Sequence, residues 1–98
     1  MALPDGLLAA AKTNLSITWT DADTDKDLTG ILERGIAYLD RIAGAAQNYT
    51  IEGDARALLF DYARYARSGA LAAFAPNYQH GLLALQINTT VPPAEGSG

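Results

Sequence analysis

A single apolar stripe between residues 28 and 42 constrains the fold of this chain more than any other feature. Its members are Leu28, Ile31, Leu32, Gly35, Ile36, Leu39 and Ile42. They recur at steps of three and four positions, the spacing that places side chains on one face of an α-helix. Capping-box patterns that begin at Thr20 and at Thr24 place the helix start between those two residues. Gly44 is a natural end, so the pattern predicts one long amphipathic helix.

A shorter helix is predicted before this one. Pro4-Asp5 places a proline and a carboxylate near the positive end of a helix that should finish near Asn14. The stretch Leu15–Thr20 is β-branched and aromatic but too short to form a sheet alone. It is therefore expected to be an extended connector whose Ile17 and Trp19 fill the core.

Two helical runs follow a loop over residues 45–53. The first is expected from Asp54 to Ser68, with Gly69 in a turn. The second covers residues 70–87 and contains Pro76, which lacks an amide donor and disrupts a helix interior. This predicts either a kink at Pro76 or a helix that begins near it after a short helical turn.

The expected fold class is all-α, a small bundle of about four helices in one domain over residues 1–88. Residues 89–98 hold proline, glycine and serine without apolar periodicity and are expected to form a flexible or extended C-terminal arm. Alanine supplies much of the apolar content, so the core should be thin and part of the stability should come from neighbours. The predicted core residues are Trp19, Leu28, Ile31, Leu32, Ile36, Leu39, Leu58, Leu59 and Tyr62.

Composition argues against several classes of function. The chain has no cysteine, which removes disulfides and thiolate metal sites, and no apolar run approaches membrane-spanning length. Its first basic residue, Lys12, follows the first apolar run, which is the wrong order for a secretory signal. The formal charge is −4 without a basic tract, a weak footprint for duplex binding.

Candidate reactive groups do not form a recognisable site, and neither catalysis nor a cofactor is expected. The alternating Asp21, Asp23, Asp25 and Asp27 resemble the start of a calcium loop, but Lys26 and Leu32 stand where that loop needs glycine and glutamate. His80 is the only histidine, and no nucleophile pattern accompanies it. It is interpreted as a hydrogen-bonding residue on a helix surface or interface, and the aspartates as favourable charges at a helix start.

Tyrosine and arginine dominate the exposed chemistry expected for residues 58–87. Arg64 and Arg67 could serve nucleic-acid binding, with Tyr62 and Tyr65 stacking on bases. Pairing of arginines with carboxylates between subunits suits the acidic balance better, and both residue types are enriched at protein interfaces. The composition favours a protein that contacts other proteins.

Three segments together make the sequence resemble the small head-tail connector, or adaptor, proteins of long-tailed double-stranded DNA bacteriophages. They are WTDADTDKDLTGILERGIAYLDRIAG, LLFDYARYARSGAL and NYQHGLLALQI, and the resemblance extends from about Leu7 to Ile87. Order and spacing carry it, since none of the segments is a catalytic signature. The sequence departs from the family pattern in the fourth helical run. A more polar helix is expected where Ala72, Ala73 and Ala75 stand, and Pro76 interrupts that helix.

The resemblance implies an all-α virion protein, made in the host bacterial cytoplasm and located at the head-tail interface. About twelve copies would form a ring beneath the portal, receive the next neck or tail-completion protein, and let double-stranded DNA pass without being read. The implied portal-facing residues are Tyr78, Gln79, His80, Leu82, Leu83, Leu85, Gln86 and Ile87, with the tail that follows. Charge complementarity suggests intersubunit contacts by Arg34, Asp40, Arg41, Asp61, Arg64, Arg67, Asp21, Asp23 and Asp25. The main alternative is a small, dimeric, cytosolic helical module for protein binding or regulation.

Overall fold

The computed structural model describes residues 3–19 and 21–90, and over those residues the chain consists of helices joined by turns and short loops. The helices are α1 (Leu7–Asn14), α2 (Ala22–Ala43), α3 (Asp54–Arg67), α4 (Phe74–Asn77) and α5 (Gln79–Thr90), with one 3₁₀ turn at Leu71–Ala73. The all-α class is confirmed. Five α-helices replace the expected four because the last predicted run is divided in two.

The long helix α2 begins and ends where its sequence signals predict. Asp21 is its N-cap, and the Asp21 carboxylate accepts hydrogen bonds from the Asp23 amide at 3.2 Å and the Thr24 hydroxyl at 3.0 Å. Gly44 adopts φ 83° and donates its amide to the Asp40 carbonyl, which closes the last turn. The start therefore falls inside the predicted window, with an aspartate rather than a threonine as the cap.

The connector before α2 buries only one of the two residues expected in the core. Ile17 is 6% exposed, and its amide donates to the Lys12 carbonyl at 2.8 Å, which folds the connector back onto the end of α1. Trp19 is 50% exposed, so its assignment to the core is wrong. Its indole nitrogen lies 3.5 Å from the Thr24 hydroxyl, so the side chain lies beside the exposed first turn of α2 and not in the core.

The other predicted core residues are in place. Leu28, Leu32, Leu39 and Leu59 are fully buried, Ile36, Leu58 and Tyr62 are nearly so, and the partly buried Ile31 packs against them. The core also takes in residues that were not predicted for it: Leu7, Ala11, Ala43, Tyr49, Phe60, Ala63, Phe74, Leu82 and Leu85. Most of the additions come from α1 and from the end of the chain.

Helices α2 and α3 are antiparallel and form the centre of the bundle. Asp25 near the start of α2 and Arg64 near the end of α3 both contact the last turn of α1, through Lys12 and Asn14 respectively. At the middle of the pair, Gly35 brings the two helices close together. On the other side, α5 packs across both α2 and α3.

The chain bends at Tyr78, two residues after Pro76. Pro76 lies within the single turn of α4, and α5 starts afresh at Gln79, so the predicted short helical turn before a new helix is confirmed. The bend is hydrogen-bonded, since the Tyr78 amide donates to the Phe74 carbonyl at 2.9 Å. Helix α5 continues to Thr90, so the boundary placed at residue 88 falls inside a helix. Residues 91–98 of the predicted arm lie outside the described residues.

Candidate assembly surfaces

The tyrosines are partly or fully internal, including Tyr62, which was predicted for the core, and Tyr65 and Tyr78, which were expected at a contact surface. Phe74 is 1% exposed and lies at the centre of four of them, with ring centroids 4.7 Å from Tyr78, 5.5 Å from Tyr62, 5.8 Å from Tyr65 and 6.2 Å from Tyr38. The Tyr78 ring is stacked on Phe74 and the others meet it edge-on, both favourable arrangements. These aromatic side chains join α2, α3 and α4, and their first role is to hold the bundle together.

A shallow apolar depression of about 270 Å³ lies beside this cluster. Its walls, called here the aromatic groove, are formed by Tyr38, Tyr62, Leu71, Ala72, Phe74 and Ala75. Leu71 at its edge is 39% exposed. Arg34 and Arg41 stand one helical turn before and after Tyr38 on α2, and both are exposed. The sequence analysis did not identify this site; the spacing of four and three residues between the arginines and Tyr38 is its one sequence signal, and the groove itself depends on the bend after α3.

Several charged residues assigned to contacts between subunits are paired inside the chain. The Lys12 ammonium lies 2.7 Å from an Asp25 carboxylate oxygen, which ties α1 to α2. Arg64 bonds both Asp61 at 3.2 Å and the Asn14 side chain at 2.9 Å, which ties α1 to α3. Asp25 and Arg64 thus have partners on α1, and Asp61 has Arg64 on its own helix, while their assignment to ring contacts stays a prediction.

Asp40 is also used within its own subunit. One of its carboxylate oxygens accepts the Tyr49 hydroxyl at 2.6 Å and the Gln47 amide at 3.0 Å. Tyr49 is 2% exposed, so these bonds fix the loop after α2 against the end of that helix. Burial first, and then the hydrogen bond and negative charge of Asp40, raise the pKa of Tyr49 far above its usual range.

Replacing Tyr49 with phenylalanine should make stability less sensitive to alkaline pH. In the wild type the raised pKa keeps the folded phenol protonated, while the unfolded phenol ionises above pH about 10, so stability is retained below that pH and falls above it by up to about 1.4 kcal/mol per pH unit. Tyr49→Phe should lower the free energy of unfolding by about 1 kcal/mol at pH 7 and flatten this decline. Urea denaturation at pH 7 and across pH 9–11 measures both effects. An unchanged alkaline slope would contradict the assignment.

Four predicted contact residues stay at the surface. Arg34, Arg41, Arg67 and Asp23 are exposed and form no ion pair among residues 3–19 and 21–90. Asp21 is also exposed but serves as the cap of α2. Of the predicted contact charges, those without an ion pair in this part of the chain therefore lie on α2 and at the end of α3.

The predicted portal-facing residues divide between the core and the surface. Leu82 and Leu85 are 7% and 4% exposed, so their assignment to a contact surface is corrected: they anchor α5 on α2 and α3. Tyr78 belongs to the aromatic cluster, where burial and then the charge of Asp61 raise its pKa. The exposed members are Gln79, His80, Leu83, Gln86 and Ile87.

Leu83 and Ile87 make the outer side of α5 apolar. They are 53% and 48% exposed, and their spacing of four residues places them on one face, with His80 one turn earlier. We call these three residues the outer α5 face. His80 also borders a depression of about 380 Å³ with Asp54 and Asp61, but the described residues contain no group of three side chains that could hold a metal ion.

Comparison with protein-family models, curated proteins and solved structures yields no match for this chain. Within the described residues, no helix is long and apolar enough to cross a bilayer. The surfaces of α2 and α5 are therefore interpreted from their own geometry and charge.

Proposed function

We propose that this chain is a virion structural protein, a head-tail connector of a long-tailed double-stranded DNA bacteriophage. About twelve copies would form a ring beneath the portal, join the filled capsid to the neck or tail, and surround the passing DNA. The proposal starts from the order of the acidic helix start, the tyrosine-rich helix and the closing NYQHGLLALQI segment. The all-helical fold is compatible with it.

The apolar character of α5 on both sides carries the proposal. Leu82 and Leu85 fill the core from one side of the helix, while Leu83 and Ile87 point to the opposite side and are about half exposed. Its inner side is already packed, so these two large apolar side chains on the outer side suit α5 to be covered by a partner. In a connector that partner is the portal protein above the ring.

The charge distribution is compatible both with contacts around a ring and with a channel for DNA. A closed ring needs two unlike complementary faces on each subunit, and α2 provides carboxylates at its start and arginines further along. The net charge of −4 would keep DNA from adhering as it moves through the centre.

The test is binding to the portal protein encoded in the same genome. The wild-type chain should form a ring at one end of the purified portal, visible by electron microscopy. Leu83→Asp should weaken that binding at least thirtyfold, roughly 2 kcal/mol, because it places a charge in an apolar contact. Ile51→Asp, at an isoleucine that is 60% exposed in the loop before α3, is the matched control and should bind normally.

Two outcomes would contradict the connector assignment. One is a wild-type chain that does not bind the portal in any purified form. The other is a tight, discrete dimer of the isolated chain that neither the portal nor raised concentration converts into a larger ring. The dimer would support the small protein-binding or regulatory module instead.

A further inference from the structure

We propose that the contact between neighbouring subunits joins Trp19 and the acidic start of α2 on one copy to the aromatic groove and its flanking arginines on the next. This inference rests on the proposed function, because it assumes the ring. It adds to that function by naming the two surfaces through which neighbouring subunits meet. The acidic face consists of Trp19, Asp23 and Asp27. The basic face consists of the aromatic groove with Arg34 and Arg41.

Trp19 is a poor fit to an isolated subunit. Half of this large side chain is exposed, and its only polar contact among the described residues is a 3.5 Å approach to the Thr24 hydroxyl. That contact places the indole nitrogen beside Thr24 in the first turn of α2. An exposed tryptophan is typical of a residue that dominates binding energy in an interface.

The aromatic groove is a suitable recipient for one such side chain. Its volume of about 270 Å³ is below the range of pockets that hold drug-sized ligands, and its walls are tyrosine, phenylalanine, leucine and alanine. The Phe74 ring beneath it is held by four tyrosines, which makes the floor rigid. Tyr38 and Leu71 at its rim would close around an inserted indole ring.

The charges on α2 indicate that the partner covering the aromatic groove is a second copy of this chain. Asp23, Asp27, Arg34 and Arg41 are all exposed, and their spacings of four, seven and seven residues place them within about 40° on the helix surface. The sign changes once along this stripe, from acidic to basic. Asp27 and Arg34 are about 10 Å apart along the axis, too far to pair within one helix.

Other charged residues are paired within the subunit, which supports a second copy of this chain as the partner. Lys12, Asp25, Asp40, Asp61 and Arg64 are already engaged within the subunit, so they do not compete for the stripe. The acidic half of α2 can therefore meet the basic half of a neighbouring α2 that is displaced along the helix axis. The same displacement would bring Trp19, just before the acidic half, toward the groove beside the basic half.

Charge exchange tests the pairing. The variant with Asp23→Arg and Asp27→Arg, and the variant with Arg34→Asp and Arg41→Asp, should each self-associate at least tenfold more weakly than the wild type. Mixing the two should restore assembly, because each then offers the charge that the other has lost. The chain carrying all four substitutions should assemble with itself. Native mass spectrometry and sedimentation of the chain at high concentration, and on the portal, measure this, with circular dichroism as the check on folding.

Trp19→Ala should weaken the association at least about thirtyfold. Ile51→Ala is the matched control, since it removes an apolar side chain that is at least as exposed and lies outside both faces, and it should have no effect. Because the chain contains no cysteine, a crosslink can also report the contact directly. Thr18→Cys with Ala72→Cys should give ladders of linked subunits with a short bismaleimide, whereas Thr18→Cys with Ala84→Cys should not.

The outcomes separate this inference from the connector assignment. If rings form on the portal but the mixed charge variants do not recover and no crosslink joins positions 18 and 72, the two faces are wrong and the connector stands. If the charge exchange and crosslink succeed in a closed dimer that never binds a portal, the faces are right and the connector assignment fails. Association that is indifferent to Trp19→Ala also overturns the inference.

Discussion

Phe74→Ala is expected to lower the free energy of unfolding by about 3–5 kcal/mol, the range for removing a large aromatic side chain from a core. Phe74 is 1% exposed and contacts the rings of Tyr38, Tyr62, Tyr65 and Tyr78. The loss includes the transfer free energy of the ring and a cavity that four rings anchored on different helices cannot fill. Guanidinium denaturation followed by circular dichroism measures the change.

Leu83→Ala is the control for this experiment. Leu83 is also a large apolar residue of the C-terminal half, but it is 53% exposed, so its truncation should change stability by no more than about 0.5 kcal/mol. If Phe74→Ala costs less than about 1 kcal/mol, the rings do not form a packed centre. The tyrosines would then lie at the surface and not in a packed cluster.

Periodicity predicted which side of α2 faces inward, but not what covers each of the other helices. Leu28, Leu32 and Leu39 of the stripe are buried as expected, because a long amphipathic helix in a small bundle has only one way to hide its apolar face. Trp19 has no such constraint: it lies in a connector of a few residues, and a turn of the backbone decides whether it points inward. Its exposure could be learned only from the fold.

The partners of the charged residues could not be predicted from the sequence either. Composition identified arginines and aspartates suited to pairing, yet Arg64 pairs with Asp61 and Asn14 within the chain while Arg34 does not pair among the described residues. The difference depends on where α1 lies, and its short sequence carries no signal for the side of the bundle on which it packs. The ring contact proposed here therefore uses charges that form no ion pair within the described part of the chain.

The glycine at the crossing of α2 and α3 provides the second large effect. Gly35→Ala is expected to lower the free energy of unfolding by about 1–3 kcal/mol, the cost of overpacking a core. A Cβ atom there would lie 2.7 Å from Leu59 Cδ1 and 2.9 Å from Tyr62 Cδ1. Leu59 is fully buried and Tyr62 is held by Phe74, so neither can move away cheaply. Thermal and urea denaturation measure the loss.

Gly30→Ala separates this steric effect from helix propensity. Both glycines lie inside α2, so both substitutions gain about 1 kcal/mol of intrinsic helix preference. A Cβ at Gly30 would meet only the end of the Arg34 side chain, at 3.3 Å, and that side chain is exposed and can shift. Gly30→Ala should therefore stabilise the protein by about 0.5–1 kcal/mol. Destabilisation at position 35 with stabilisation at position 30 would show that the close contact between α2 and α3 requires the glycine at position 35. If both substitutions stabilise the protein, α2 and α3 lie further apart than described.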